Sequence, residues 1–107
     1  MAPSADNDTV RLDLNNPEFQ QTFFEMEKDQ ITNVVGTFRK INRMTWSALY
    51  ADRGLKWELI HSYTGLKGEK RYSLRIGKGV RAVAFRDGVW LRVLGLYPDH
   101  DSAYGKR

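Results

Sequence analysis

The densest group of chemically versatile side chains lies near the C-terminus, in Tyr97-Pro-Asp-His-Asp-Ser-Ala-Tyr104. The His100 imidazole can donate or accept a proton near neutral pH, and Asp99 or Asp101 can orient its ring. The Tyr104 phenol would complete such an acid–base site. In the structural alternative, both aspartates are turn or cap residues beside an exposed His100. A metal site is disfavoured, because neighbouring residues on an extended chain point in different directions and no other cluster supplies the missing ligands.

A second candidate group is cationic. Between positions 67 and 86 the chain carries seven basic residues against one acidic residue, Glu69. Such a local excess of positive charge predicts contacts with phosphate groups. The basic residues are Lys67, Lys70, Arg71, Arg75, Lys78, Arg81 and Arg86.

Two arginines in this segment suit a phosphodiester. Alternation in a strand over 72–76 puts Arg71, Ser73 and Arg75 on one face, and Arg81 on the following strand lies near enough to join them. A guanidinium fork binds paired phosphate oxygens and opposes the charge that develops during displacement. The alternative is that these arginines simply solvate a sheet face. Arg92, on the last predicted strand, supplies a further cation if it faces the same site.

Helical signals occupy the first half of the chain. Asn16-Pro17 predicts a helix start, with Asn16 as the N-cap, and that helix should end near Lys28. Asp29 is expected to cap a second helix, and Thr45 a short third one. The apolar stripe of the second helix recurs at spacings of three and four residues, at Ile31, Val34, Val35, Phe38 and Ile41. We therefore predict an antiparallel helical hairpin.

From Trp57 onward the apolar period is two, which predicts four strands, over 57–62, 72–76, 80–86 and 89–97. A further, edge strand is expected over 10–14. Gly77-Lys-Gly79 and Asp87-Gly88 read as hairpin turns between the last three strands. The predicted fold is α+β: an antiparallel, mostly meander sheet of four to five strands, with the N-terminal helical hairpin packed on one face.

Length and composition limit the number of domains, the possible chemistry and the expected location. The length of 107 residues fits one domain, which we place at residues 9–107 after a disordered arm over 1–8. Absence of cysteine excludes disulfides and thiol catalysis, and the net charge of +4 is compatible with a polyanionic partner. No run is long enough to span a membrane and no signal pattern is present, so a cytoplasmic location is expected. Trp57 and Trp90 are predicted to be core residues, and His61 structural.

The order of elements and several motifs together resemble the RelE/ParE superfamily of bacterial toxin–antitoxin systems. The resemblance spans about residues 10–104. It consists of the first strand, the helical hairpin, Tyr72-Ser-Leu-Arg-Ile76, Gly79-Val-Arg81 and the closing segment ending at Tyr104.

This resemblance implies a toxin of the RNase branch, neutralised by a cognate antitoxin in a hetero-oligomer, that cuts messenger RNA on the ribosome without metal or cofactor. By position, Arg75, Arg81, His100 and Tyr104 match the family's catalytic residues, whereas Asp99 and Asp101 replace its usual basic cluster and would orient His100. Alternatives are a gyrase inhibitor of the ParE branch and a non-catalytic RNA- or ribosome-binding domain. The residues expected to contact RNA are Lys67, Lys70, Arg71, Ser73, Lys78 and Arg92.

Overall fold

A computed structural model describes residues 5–63, 65 and 67–98. A 3₁₀ turn at Ala5–Asn7 leads into the first strand. The helices are α1 (Pro17–Glu25), α2 (Lys28–Ile41) and α3 (Trp46–Ala51). The strands are β1 (Arg11–Asp13), β2 (Glu58–Leu59), β3 (Tyr72–Gly77), β4 (Val80–Asp87) and β5 (Trp90–Pro98). These elements form an α+β domain.

The five strands make one mixed sheet in the order β1-β5-β4-β3-β2. The strands from β2 to β5 pair antiparallel with their chain neighbours, and left-handed glycines at positions 79 and 88 form the two tight turns. β1, by contrast, runs parallel to β5. The expectation of an antiparallel sheet is therefore wrong at this edge, because alternation identifies a strand but says nothing about which neighbour it pairs with or in which direction.

Helix starts follow the capping rules in two of three cases. The Asn16 side chain accepts hydrogen bonds from two backbone N–H groups of α1, and the Thr45 hydroxyl accepts one from α3, as predicted. The predicted Asp29 cap is wrong. Glu27 is the N-cap of α2, and its side chain makes no capping hydrogen bond with any residue that the structure describes. Asp29 lies instead in the first turn of α2, where its charge still suits the helix dipole.

The core lies between the helices and one face of the sheet. Phe19, Val34, Phe38 and Ile41 come from α1 and α2, and they meet alternate residues of the strands. The buried hydrophobic strand residues are Leu74, Ile76, Val80, Ala82, Ala84, Leu91, Val93 and Leu96. The apolar faces of the helices and of the sheet therefore pack together into one core layer. Among the described residues, no helix covers the other face of the sheet.

Two tryptophans behave differently from each other. Trp57 packs against the core, edge-on to Trp46 and stacked on Tyr72, as expected for a core residue. The prediction that Trp90 is buried is wrong, since 38% of it is exposed. Its neighbour Leu91 faces the helices, so alternation turns Trp90 to the opposite face.

The N-terminal arm and β2 also differ from expectation. Residues 5–8 of the predicted arm are ordered, because the Asp6 carboxylate lies 2.8 Å from the Arg86 guanidinium and the Asp8 carbonyl accepts the Trp46 backbone N–H. Residues 1–4 of that arm lie outside the described residues. β2 spans two residues rather than six, and the chain then enters a turn at 61–62. Among the described residues, no helix has the length and apolar character needed to cross a membrane.

Candidate nucleic-acid interface

The sheet face opposite the helices, called the open face from here on, carries the candidate site. Leu74, Ala82 and Ala84 are buried against the helices, so the residues alternating with them on β3 and β4 point to the open face. This alternation places Ser73, Arg75, Arg81, Val83 and Phe85 there. The predicted division of the β3 side chains between two faces is therefore confirmed.

Arg75 and Arg81 are direct register partners on β3 and β4. Partners in an antiparallel pair have Cα atoms about 4.5–5.5 Å apart, so the two guanidinium groups start from adjacent points on a rigid sheet. Arg81 is held in place: its Nη2 donates to the Ser73 Oγ at 2.6 Å, and only 15% of its side chain is exposed. Arg75 is exposed. The structure thus brings together the two arginines that the sequence singled out.

Glu58 joins this pair from β2 and was missed by the sequence analysis. It is the register partner of Ser73, and its Oε1 lies 3.7 Å from the Arg81 Nη2. The carboxylate is accessible, since 54% of the side chain is exposed. Alternation around Trp57 would have placed Glu58 on the polar side of its strand, but only the sheet order shows that this side is the open face.

Arg71 lies further along the open face, between two aromatic rings. Its guanidinium carbon is 4.5 Å from the Tyr63 ring centre and 5.3 Å from that of Phe85, and its Nη2 donates to the Tyr63 hydroxyl at 2.8 Å. Cation–π contacts of this kind orient the guanidinium plane. Cations and rings therefore alternate along the face, an arrangement typical of surfaces that bind single-stranded nucleic acid.

Arg92, predicted to contact RNA, faces the same side but is held by two carboxylates. Its guanidinium lies 2.6 Å from Asp13 of β1 and 2.9 Å from Asp87 of β4. The hydrogen bond from Arg92, together with one from the Asn15 N–H, keeps the pKa of the Asp13 carboxyl below its usual value. Because both neighbours neutralise it, Arg92 ties the β1 edge to the sheet rather than adding a cation to the site.

The remaining basic residues are dispersed. Lys67 and Lys70 are exposed on the loop before β3, and Lys78 is exposed on the β3–β4 turn. Arg86 points to the helical side, where its guanidinium lies 4.3 Å from the Trp46 ring centre and contacts Asp6. His61, expected to be structural, is exposed on the loop after β2.

The C-terminal acid–base candidates lie outside the described residues: Asp99, His100, Asp101 and Tyr104. The last described strand, β5, lies beside the arginine pair, because Tyr97 is the register partner of Arg81. Tyr97 itself is half exposed. The predicted roles of His100 and Tyr104 stay predictions.

Two guanidinium groups and one carboxylate on a rigid surface can bind a phosphodiester and move a proton beside it. The chain matches no known protein-family model, no curated protein and no solved structure. The geometry of the open face is accordingly the basis for assigning a function.

Proposed function

We propose that the chain binds RNA across the open face and cleaves it, as a ribosome-dependent, metal-independent messenger RNA endoribonuclease of the RelE/ParE toxin type. The observation that carries the proposal is the pairing of Arg75 with Arg81 in direct register on the face that the helices leave uncovered. Resemblance of the sequence motifs to that superfamily supplies the biological setting.

A phosphodiester fits the arginine pair for a physical reason. Each guanidinium presents a planar fork of donors that matches two phosphate oxygens, whereas a lysine offers only a point charge. The hydrogen bond to Ser73 and the proximity of Glu58 fix the fork of Arg81 before substrate arrives. Donors fixed in advance stabilise a developing charge at little reorganisation cost.

In the proposed reaction, the ribose 2′-hydroxyl attacks the adjacent phosphorus. A bond forms between the 2′-oxygen and phosphorus, the bond from phosphorus to the 5′-oxygen breaks, and the products are a 2′,3′-cyclic phosphate and a 5′-hydroxyl. The Glu58 carboxylate, beside Arg81, accepts the proton of the attacking hydroxyl. Arg75 and Arg81 bind the non-bridging oxygens. His100 is proposed to protonate the leaving 5′-oxygen, with Asp99 and Asp101 orienting its ring and Tyr104 completing the site.

The proposal includes a partner. A toxin of this type is held inactive by an antitoxin, and the cationic open face would be covered by an acidic or amphipathic segment of that protein. The net charge of +4 supports both an RNA target and an acidic inhibitor. The action proposed here takes place on ribosomes in the cytoplasm.

The test is mapping of cut sites on reporter transcripts in an actively translating extract. The variants Arg81→Ala and Glu58→Gln each remove one proposed function, and Arg39→Gln removes a comparable charge from the exposed side of α2. We expect ribosome-dependent cuts with the native chain and Arg39→Gln, and rates lower by roughly 10²-fold or more in the two site variants. Thermal unfolding of each variant establishes that it is folded.

Two outcomes would overturn the assignment. Undiminished cleavage by both site variants would exclude the open face as the active site. Intact transcripts together with blocked DNA supercoiling in a parallel gyrase assay would replace the RNase proposal by gyrase inhibition, a function that needs no acid–base group.

A further inference from the structure

A groove of about 460 Å³ opens at the end of the sheet where β3 begins and β4 turns into β5. Four aromatic side chains line it, from α3, the segment before β2, β3 and β4: Tyr50, Trp57, Tyr72 and Phe85. Lys70 and Arg86 add two cations, against the one carboxylate of Glu69. Its volume lies in the range of small-molecule sites, about 300–1,000 Å³.

The aromatic wall is held rigid by its own contacts. Trp57 and Tyr72 stack with ring centres 4.5 Å apart, and Tyr50 lies 6.0 Å from Trp57. The Tyr50 hydroxyl accepts a hydrogen bond from Arg86 at 2.7 Å, yet 43% of the residue is exposed. Rings that are already immobilised lose little conformational freedom when another flat group stacks on them.

The groove is continuous with the open face. Phe85 lines the groove and also contacts the Arg71 guanidinium. Along β4, Phe85 is four residues from Arg81, a distance of roughly 13 Å on an extended strand. A strand of RNA held by the arginine pair can therefore continue past Arg71 to the groove, with Lys70 placed for a flanking phosphate.

We infer that this groove binds one unpaired base of the RNA by stacking, so that the substrate must be single-stranded on that side of the cleaved bond. The inference rests on the proposed function and adds a second contact point to it. Stacking on aromatic side chains tolerates any base, because every base has a π-face. A duplex cannot use the site, since its bases are paired and stacked inside the helix.

A larger groove, of about 570 Å³, lies between the α1–α2 connection and the β3–β4 turn and fits RNA poorly. Among the residues that the structure describes, its lining holds the carboxylates Glu25 and Glu27, one cation, Lys78, and one aromatic ring, that of Tyr97. Repulsion of phosphate by the two carboxylates argues against RNA there. The aromatic groove is therefore the better candidate for binding RNA, because more aromatic rings and more cations line it.

The experiment measures binding of a 2′-O-methylated, single-stranded oligoribonucleotide, which has no 2′-hydroxyl to attack and so stays intact. Each base in turn is replaced by an abasic ribose, and every oligonucleotide is titrated against the native chain and Tyr50→Leu. Tyr50→Phe keeps the ring but loses the hydrogen bond to Arg86. Phe24→Leu is the matched control, because Phe24 is an exposed ring on α1.

We expect one abasic position to weaken binding by the native chain roughly tenfold, and Tyr50→Leu to weaken binding of the unmodified strand to a similar extent. In Tyr50→Leu the abasic penalty should disappear, because ring and base act as one coupled pair. Phe24→Leu should bind like the native chain and keep the penalty. Tyr50→Phe, which keeps the ring, should also keep the penalty. A ring with a merely structural role would not produce this coupling.

The failures of the two proposals can be told apart. Binding that depends on Arg75 and Arg81 but is indifferent to every abasic position would overturn the base site and leave the proposed function standing. Absence of any salt-dependent binding to the oligonucleotide would overturn both. If Tyr50→Leu does not fold, the abasic series on the native chain decides the question by itself.

Discussion

Replacing Arg81 by Gln should change how strongly salt weakens RNA binding. The size of the change follows from the number of cations on the open face. Four cations lie on or beside this face: Lys70, Arg71, Arg75 and Arg81. If each neutralises one phosphate, log K should fall against log[salt] with a slope of about −2.8, at about −0.7 per contact for a single strand.

The slope converts to a measurable loss of affinity. Between about 50 and about 200 mM salt, the native chain should lose roughly fiftyfold in affinity, and Arg81→Gln, with one contact fewer, only roughly twentyfold. The slope of the variant should be about −2.1. Loss of the Arg81 guanidinium also weakens RNA binding at every salt concentration, since a glutamine amide carries no charge.

Fluorescence anisotropy of a labelled single-stranded oligoribonucleotide, titrated at several salt concentrations, gives both slopes. Arg39→Gln serves as the charge-matched control on α2 and should keep the native slope. Equal slopes for the native chain and Arg81→Gln would show that Arg81 contacts no phosphate. A native slope near zero would show that the open face is not an RNA-binding surface at all.

Other substitutions test separate parts of the molecule. Glu58→Gln should tighten oligoribonucleotide binding, by roughly threefold, because it removes a negative charge beside Arg81; weaker binding in the same anisotropy assay would contradict the assigned geometry. Asp13→Asn should lower the free energy of unfolding by about 1 kcal/mol at pH 7, since its charged partner is partly exposed. Because the pKa of Asp13 is lowered in the folded state, its contribution is complete above the unfolded pKa of about 3.9 and is lost as pH falls further; a urea-melt difference between variant and native chain that stays constant down to pH 2 would refute this. Gly36→Ala, in the middle of α2 with no atom near the added Cβ, should stabilise by roughly 0.5–1 kcal/mol and raise Tm, and a lower Tm would contradict the open space seen there. Leu74→Ala should cost about 2–5 kcal/mol in chemical denaturation because the side chain is fully buried, and a loss below about 1 kcal/mol would mean that β3 is not part of the core.

Local rules predicted the elements well. The Asn16 and Thr45 caps, the alternation on β3 and both hairpin turns depend on residues adjacent in the chain, and all appear in the structure. Asp29 shows the limit of such rules. A two-residue connection after α1 starts the next helix before that aspartate can act as its cap.

Local sequence patterns could not predict contacts between residues that are far apart in the chain. Parallel pairing of β1 with β5 and the position of Glu58 beside Arg81 both depend on sheet order. Arg92 illustrates the same point: its sequence neighbours give no hint that Asp13, 79 residues away, neutralises it. Arg75 and Arg81 could be paired in advance because one tight turn joins their strands.

The position of β5 within the sheet has a consequence for synthesis. β5 comes last among the described strands but lies between β1 and β4, where it pairs with both. A nascent chain therefore cannot close the sheet, or seat Leu91 and Val93 in the core, until the segment 90–98 has left the ribosomal exit tunnel. The open face proposed to bind RNA is therefore completed only after this segment has emerged.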